Sequence, residues 1–165
     1  MAPSGYDMKE SPMGEETIAL NRRARHDYSI IETVEAGLVL TGTEIKSVRA
    51  HKVNLADAYA RIERNEAWLI GLNISPYEGG NRNNHEPKRT RKLLLRRGEI
   101  DELLGVTKSK GLTLVPLRLY ISGRGRAKVE LGLARGKQQH DKRRDIATRD
   151  ARREMDREIA EARRR

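Results

Sequence analysis

The sequence has no cysteine and no phenylalanine, and only one tryptophan and five tyrosines among its 165 residues. Without cysteine there is no disulfide, no thiolate metal ligand and no cysteine nucleophile. With aromatics at 4% and hydrophobic residues at 36%, the core has to be small and built from Leu, Ile and Val. Long hydrophobic runs are missing as well. No stretch reaches the roughly 18 uncharged apolar residues that cross a bilayer, and no basic segment followed by an apolar one opens the chain. A membrane span and a secretory signal are therefore not expected, and the protein is read as cytoplasmic. His26, His51, His85 and His140 lie far apart and never form an i, i+4 pair, so no metal site and no cofactor is expected. Gly132, Gly136 and Lys137 approach a phosphate loop, but the glycine spacing is one short and Gln138 stands where Ser or Thr would hold magnesium. There is no Gly-x-Ser-x-Gly, and the carboxylates neighbour basic residues and read as solvated ion pairs. No catalytic residue is assigned, and an enzyme is not expected.

What the chain does have is positive charge: 34 Lys+Arg against 24 Asp+Glu, a net of +10. Such an excess calls for a polyanionic partner, and with no membrane anchor nucleic acid leads. Residues 1–16 mix Pro, Ser and Gly with scattered charge and read as a flexible leader. Residues 135–165 hold 12 Lys+Arg and 7 Asp+Glu, a net of +5, with no aromatic residue. Nearly all large apolar side chains lie between, so residues 17–134 form the folded domain. Basic clusters occur at Arg22, Arg23 and Arg25, at Lys88, Arg89, Arg91 and Lys92, at Arg124, Arg126 and Lys128, and in the tail. Each alone fits a solvated face. Four on one small domain favour RNA or DNA, and RNA leads because no helix-turn-helix, zinc finger or basic zipper is present. Scarce aromatics favour shape and phosphate contacts to a structured RNA over stacking along a single strand.

Within the domain the patterns are those of short strands. Tyr28 to Val34 and Leu38 to Leu40 read as two strands meeting at a bend near Gly37. Thr41 and Glu44 form a capping box that opens a helix from about Thr43 to His51. Ala58 to Arg64 alternates and turns through Asn65 and Glu66 into Ala67 to Ile74, a hairpin. Residues 75–89, with two prolines, two glycines and three asparagines, form a long loop. Lys92 to Arg96 is a strand or a helix start, which periodicity does not decide. A short helix spans about Gly98 to Leu104 with Gly105 as its stop. Leu112 to Ile121, with Pro116 marking an edge or a bulge, turns through Gly123 to Arg126 into Ala127 to Leu133, a second hairpin. The sum is a mainly β fold: an OB-like barrel of about six strands with two or three short helices and a basic C-terminal tail, disordered or helical. In that tail Ala151, Met155, Ile159 and Ala162 draw one thin apolar stripe, too narrow to fix a helix to a core.

Several longer motifs add a resemblance. Asn21-Arg22-Arg23-Ala24-Arg25-His26-Asp27-Tyr28, Glu35-Ala36-Gly37, Leu40-Thr41-Gly42-Thr43-Glu44-Ile45-Lys46-Ser47, Arg91-Lys92-Leu93-Leu94-Leu95, Gly136-Lys137 and His140-Asp141-Lys142-Arg143 resemble, in this order, the small protein B family, the tmRNA-binding (SsrA-binding) proteins of bacteria. The resemblance runs from about Thr17 into the tail. It implies a monomeric RNA-binding protein that makes and breaks no bond. The barrel would bind the tRNA-like domain of tmRNA, and protein and RNA together would imitate a tRNA in the empty A site of a stalled ribosome. It also implies a tail that folds as a helix along small-subunit rRNA in the decoding centre and vacant message channel, testing whether that channel is empty. Carried over by motif, the RNA-binding residues are Glu35, Leu94 and Lys128, with Arg96 standing where the family has a small polar residue or His. The tail residues matched to the decoding centre are Gly136, Lys137, His140, Asp141, Lys142 and Arg143, and Ile159 loosely matches a distal apolar anchor. Two other readings stand beside this one: a general OB-fold RNA-binding or ribosome-assembly protein, and an RNA-modifying enzyme.

Overall fold

A computed structural model of the chain describes residues 14–137 and 139–164. The strands are β1 (Glu16–Leu20), β2 (Tyr28–Leu38), β3 (Val53–Asn54), β4 (Tyr59–Glu63), β5 (Glu66–Ile70), β6 (Asn73–Ile74), β7 (Arg91–Leu94), β8 (Thr113–Ile121) and β9 (Ala127–Gly136). The helices are α1 (Arg22–Asp27), α2 (Gly42–Arg49), α3 (Arg97–Lys110) and α4 (Gln139–Arg164), and a 3-10 turn covers Glu78–Asn83. Seven antiparallel strands run in the order β1-β8-β4-β5-β7-β2-β9, and β9 pairs back onto β8. Six of them thus form a closed ring, the OB-like barrel expected, with β1 as an added strand. Closure works because β8 and β2 are long enough to serve two neighbours. The whole of β8 faces β9, while its other edge gives Leu114 to β4 and Arg118 to Ile121 to β1. β3 and β6 make a separate two-stranded ladder.

The inward face carries the aliphatic core that the composition demanded: Leu69, Leu72, Ile74, Leu93, Leu119, Val129 and Leu131 are fully buried. Strand alternation puts these residues inside and their neighbours outside. The sole tryptophan, Trp68, lies between buried Ala67 and Leu69 and is only partly buried, on the outer side of β5. Both hairpins form. Arg64 and Asn65 adopt positive φ between β4 and β5, the backbone that a tight turn between twisted strands requires. Pro116 marks a bulge, since the β8–β9 register slips between Pro116 and Arg118. It does so within a strand paired on both edges, so the edge alternative is not realised. α2 has both halves of its capping box: the Glu44 N–H donates to Thr41 Oγ1 at 3.4 Å, and the Thr41 N–H donates to Glu44 Oε1 at 2.9 Å.

Several expectations change. The bend at Gly37 does not exist. β2 continues unbroken through Gly37 to Leu38, because Gly37 pairs with Lys128 on one side and Leu94 on the other. Lys92 to Arg96 resolves as strand β7 followed by the start of α3. That helix passes Gly105 and stops at Gly111, whose φ of +61° is the left-handed cap. The expected second strand of the first hairpin divides into β5 and β6 at Gly71, where φ is +80°. The leader as drawn, 1–16, ends inside structure: Glu16 opens β1, and residues 1–13 lie outside the described residues. The loop at 75–89 is tied down, with the His85 Nε2 within 2.9 Å of the Ile74 carbonyl and the Asn84 side chain bonded to the Tyr77 backbone.

α1 had no apolar periodicity to announce it. What holds it is Asn21, buried at the N-cap, whose side-chain oxygen accepts from the Ala24 N–H while its amide donates to the Leu55 and Pro116 carbonyls. Glu44 departs from the solvated pairs expected of carboxylates. It is fully buried and accepts from Arg89 Nη2 at 2.6 Å and from the fully buried Arg91 Nε. Arg91 also donates to the Leu72 and Pro87 carbonyls. Burial alone would raise the Glu44 carboxyl. The hydrogen bonds from Arg89, the Thr41 backbone and Arg91 outweigh it and bring the pKa from 4.5 to about 2.

Candidate nucleic-acid interface

On the outer face of the barrel, four neighbouring strands carry a row of side chains set by register. Arg118 and Tyr120 of β8 lie opposite Glu130 and Lys128 of β9. Glu130 and Lys128 lie opposite Glu35 and Gly37 of β2, and Gly37 lies opposite Leu94 of β7. Three of the residues expected to meet RNA, Glu35, Leu94 and Lys128, therefore converge although they are up to 93 positions apart in sequence. Lys128 reaches diagonally to Glu35, Nζ to Oε1 2.5 Å. Leu94 is 55% exposed, an apolar side chain displayed to solvent on a charged face. Gly37 makes room for it: a Cβ there would stand 3.2 Å from the Leu94 Cβ. That role for Gly37 was hidden in the motif Glu35-Ala36-Gly37, where the glycine read as a bend.

Arg96 sits apart from this trio, two residues beyond Leu94 at the N-cap of α3, exposed, with its backbone N–H donating to Glu99 Oε1 at 3.1 Å. Arg118 anchors the far end of the row. It donates to Glu15 at 2.6 Å and to Glu130 at 3.3 Å, and its guanidinium lies 4.2 Å from the centre of the Tyr120 ring. Burial disfavours its charge, but Glu15 and Glu130 more than compensate and raise its pKa above the ordinary value.

The basic clusters fare unequally. Lys88, Arg89, Arg91 and Lys92 do not form a phosphate-binding patch, because Arg91 is fully buried, Arg89 shares Glu44 with it, and Lys92 pairs with Glu66 at 3.3 Å. The sequence shows four cations within five residues, whereas β7 turns Arg91 and Lys92 to opposite sides and the core takes one. At α1, Arg23 lies 3.8 Å from Asp57. Arg124 and Arg126 stand exposed at the tip of the β8–β9 hairpin.

The tail begins where β9 ends. Gly136 is the last, exposed residue of that strand. The Lys137 backbone N–H donates to the Asp27 carbonyl at 2.9 Å and its ammonium to the Arg25 carbonyl at 3.1 Å, a cation at the carbonyl end of α1. α4 follows as one helix of 26 residues, about 39 Å long. The backbone of His140, Asp141, Lys142 and Arg143 lies in its first turns, and their side chains lie outside the described residues. Farther along, Ile146, Met155 and Ile159 are exposed at 44%, 62% and 48%, so the thin apolar stripe faces solvent. Among the described residues no group of three or more His, Asp or Glu is placed to hold a metal ion, and no helix is long and apolar enough to cross a membrane.

Comparison with known proteins places this geometry in context. The family described as SmpB protein matches residues 18–161. An SsrA-binding protein of Desulforamulus reducens is 58% identical over 151 residues, 92% of this chain and 94% of that one. One from Desulforudis audaxviator is 60% identical over 141 residues, 86% and 92% of the two chains. A solved chain described as "tmRNA-SmpB: a journey to the center of the bacterial ribosome" superposes with a TM-score of 0.62 at 56% identity, covering 73% of this chain and 85% of that one.

Proposed function

The chain belongs to the SmpB protein family, and from that premise we propose that it binds the tRNA-like domain of tmRNA with its barrel and carries it to stalled ribosomes for trans-translation. The observation that carries this reading is the convergence of Glu35, Leu94 and Lys128 on one outer face. The three side chains suit different parts of a folded RNA. Lys128 supplies charge for a phosphate, Leu94 an apolar surface for a ribose or base face, and Glu35 an acceptor for base amino groups or 2′-hydroxyls. Glu35 also holds the Lys128 ammonium by an ion pair, so an arriving phosphate meets a positioned ammonium. Arg96 adds a cation at the edge of the same site. No covalent step is assigned: the protein acts by binding, in the cytoplasm, as a monomer.

The tail has the second task. Gly136 and Lys137 fix where it leaves the barrel. Lys137 and the segment His140, Asp141, Lys142 and Arg143 meet rRNA of the decoding centre, where His140 stacks on a base and the cations meet phosphates. α4 then runs into the empty message channel with Ile159 as its distal anchor. We place the division between RNA-binding barrel and ribosome-sensing tail at the end of β9, Gly136, rather than at residues 134–135. The test compares the full chain with one ending at Lys137, which keeps the backbone bond to Asp27. Tight, selective binding of a tRNA-like-domain transcript survives in the shorter chain, and rescue of ribosomes on a message without a stop codon is abolished. Loss of RNA binding on that truncation would overturn the division of labour.

A further inference from the structure

Several cations of the barrel are neutralised where they stand. Arg118 faces Glu15 and Glu130, Lys128 faces Glu35, Lys92 faces Glu66, Lys52 faces Glu78, Arg61 faces Glu63, and Arg89 and Arg91 share Glu44. Other cations stay outside this pairing, and three of them form a compact group. Arg49, at the end of α2, and Arg124 and Arg126, at the β8–β9 hairpin tip, are all exposed, and among the described residues none forms a salt bridge with a carboxylate.

The group is also held in shape. The Ser122 N–H donates to the Arg126 carbonyl and the Gly125 N–H to the Ser122 carbonyl, both at 2.8 Å. The Ser122 hydroxyl accepts from the Arg126 N–H at 3.2 Å. Gly125 has φ +78°, a left-handed conformation that glycine adopts without strain. Arg49 Nη2 donates to the Gly125 carbonyl at 3.5 Å, which ties the tip to α2. Arg126 precedes Lys128 by two residues, and Ala127 and Val129 between and beyond them are buried. Alternation therefore puts Arg126 and Lys128 on the same outer face, about 7 Å apart along the strand.

We propose that Arg49, Arg124 and Arg126 form a second phosphate-contact surface, continuous with Lys128, that takes the backbone of the same folded RNA. This rests on the reading that the barrel binds such an RNA. Two unneutralised guanidiniums on a fixed turn, with a third on the helix end tied to it, offer forked donors at low ordering cost, which is the chemistry that grips phosphate oxygens. They carry no base-reading geometry, so they add affinity and salt dependence and leave selectivity to the face with Glu35 and Leu94.

The test uses the full chain and a transcript of the tRNA-like domain, with affinity measured across a series of salt concentrations. The double variant Arg124→Gln, Arg126→Gln is expected to bind about tenfold more weakly near 0.1 M salt, with a log–log salt slope shallower by about 1 to 2. Arg124→Lys with Arg126→Lys is expected to keep most of the slope, because the charge remains. An unrelated hairpin RNA is expected to lose affinity by the same factor. A glutamine variant with the wild-type affinity and slope, in a preparation where Lys128→Gln weakens binding, would overturn the proposal and leave the function intact. Equal binding of the wild-type chain to the tRNA-like and unrelated RNAs would instead overturn the functional reading. The salt slopes still report on the arginines in that case, so the two failures are separable.

Discussion

The barrel and α4 are both crowded with charge, and they use it in opposite ways. In the barrel several cations meet a carboxylate, and one trio is built on the interior pair Glu44 and Arg91 with Arg89 at its edge. In α4 the described side chains are exposed along the whole helix, Met155 and Ile159 included. Charge in the barrel is therefore part of what holds it together, and charge in α4 is held in reserve for a partner. A helix with so thin an apolar face gains little from its own fold. Its free energy of ordering has to come from whatever it enters.

The largest expected effect sharpens the barrel side of this contrast. Arg91→Met leaves the Glu44 carboxylate buried with one guanidinium in place of two, and should destabilise the barrel by about 3 kcal/mol or more, read as a lower urea midpoint. Adding Glu44→Gln should recover part of that loss, because the uncompensated charge is gone. A wild-type midpoint in the single variant would break the comparison.

Acid tests the same trio with a slightly smaller effect. The Glu44 carboxyl lies at about 2 in the folded chain against an ordinary 4.5. A depressed folded pKa gives stability that is complete above pH 4.5 and lost as pH falls toward 2, about 3 kcal/mol in all from this group. Denaturant melts of wild type and Glu44→Gln between pH 6 and 2 should converge on acidification. Parallel curves would mean that the carboxylate does not feel its arginines.

The smallest effect belongs to α4. Met155→Ser with Ile159→Ser should leave the cooperative unfolding of the barrel within about 0.5 kcal/mol of wild type, since both side chains are exposed. The same variant should impair ribosome rescue. A larger shift in barrel stability would show that the tail packs on the barrel in the free protein, and the contrast between the two regions would dissolve.

Much of the fold could be read from local signals because those signals are local in origin. The Thr41 and Glu44 capping box lies within four residues, and the two hairpins join neighbours in sequence. α1 was illegible because Arg-Arg-Ala-Arg-His-Asp shows no apolar period, and its cap depends on Asn21 reaching the carbonyls of Leu55 and Pro116. Gly105 and Gly111 look alike as helix stops. Only the backbone tells them apart, since Gly111 alone takes positive φ. The candidate site was legible as motifs through family resemblance, while its geometry was not, because strand register across β7, β2 and β9 brings Leu94, Gly37 and Lys128 side by side.

By itself the sequence determined what the chain is made to meet and from what it must be built: an excess of ten positive charges, an aliphatic core with little aromatic volume, and a tail with charge at both signs and almost no apolar face. Which of those charges are available was decided only by the tertiary structure. Neutralisation acts through space, over distances of a few ångströms between residues tens of positions apart, and no local pattern encodes it. Burial and ion pairing remove Arg91 and Arg118 from the available set. A turn held by Ser122 and Gly125 leaves Arg124 and Arg126 in it.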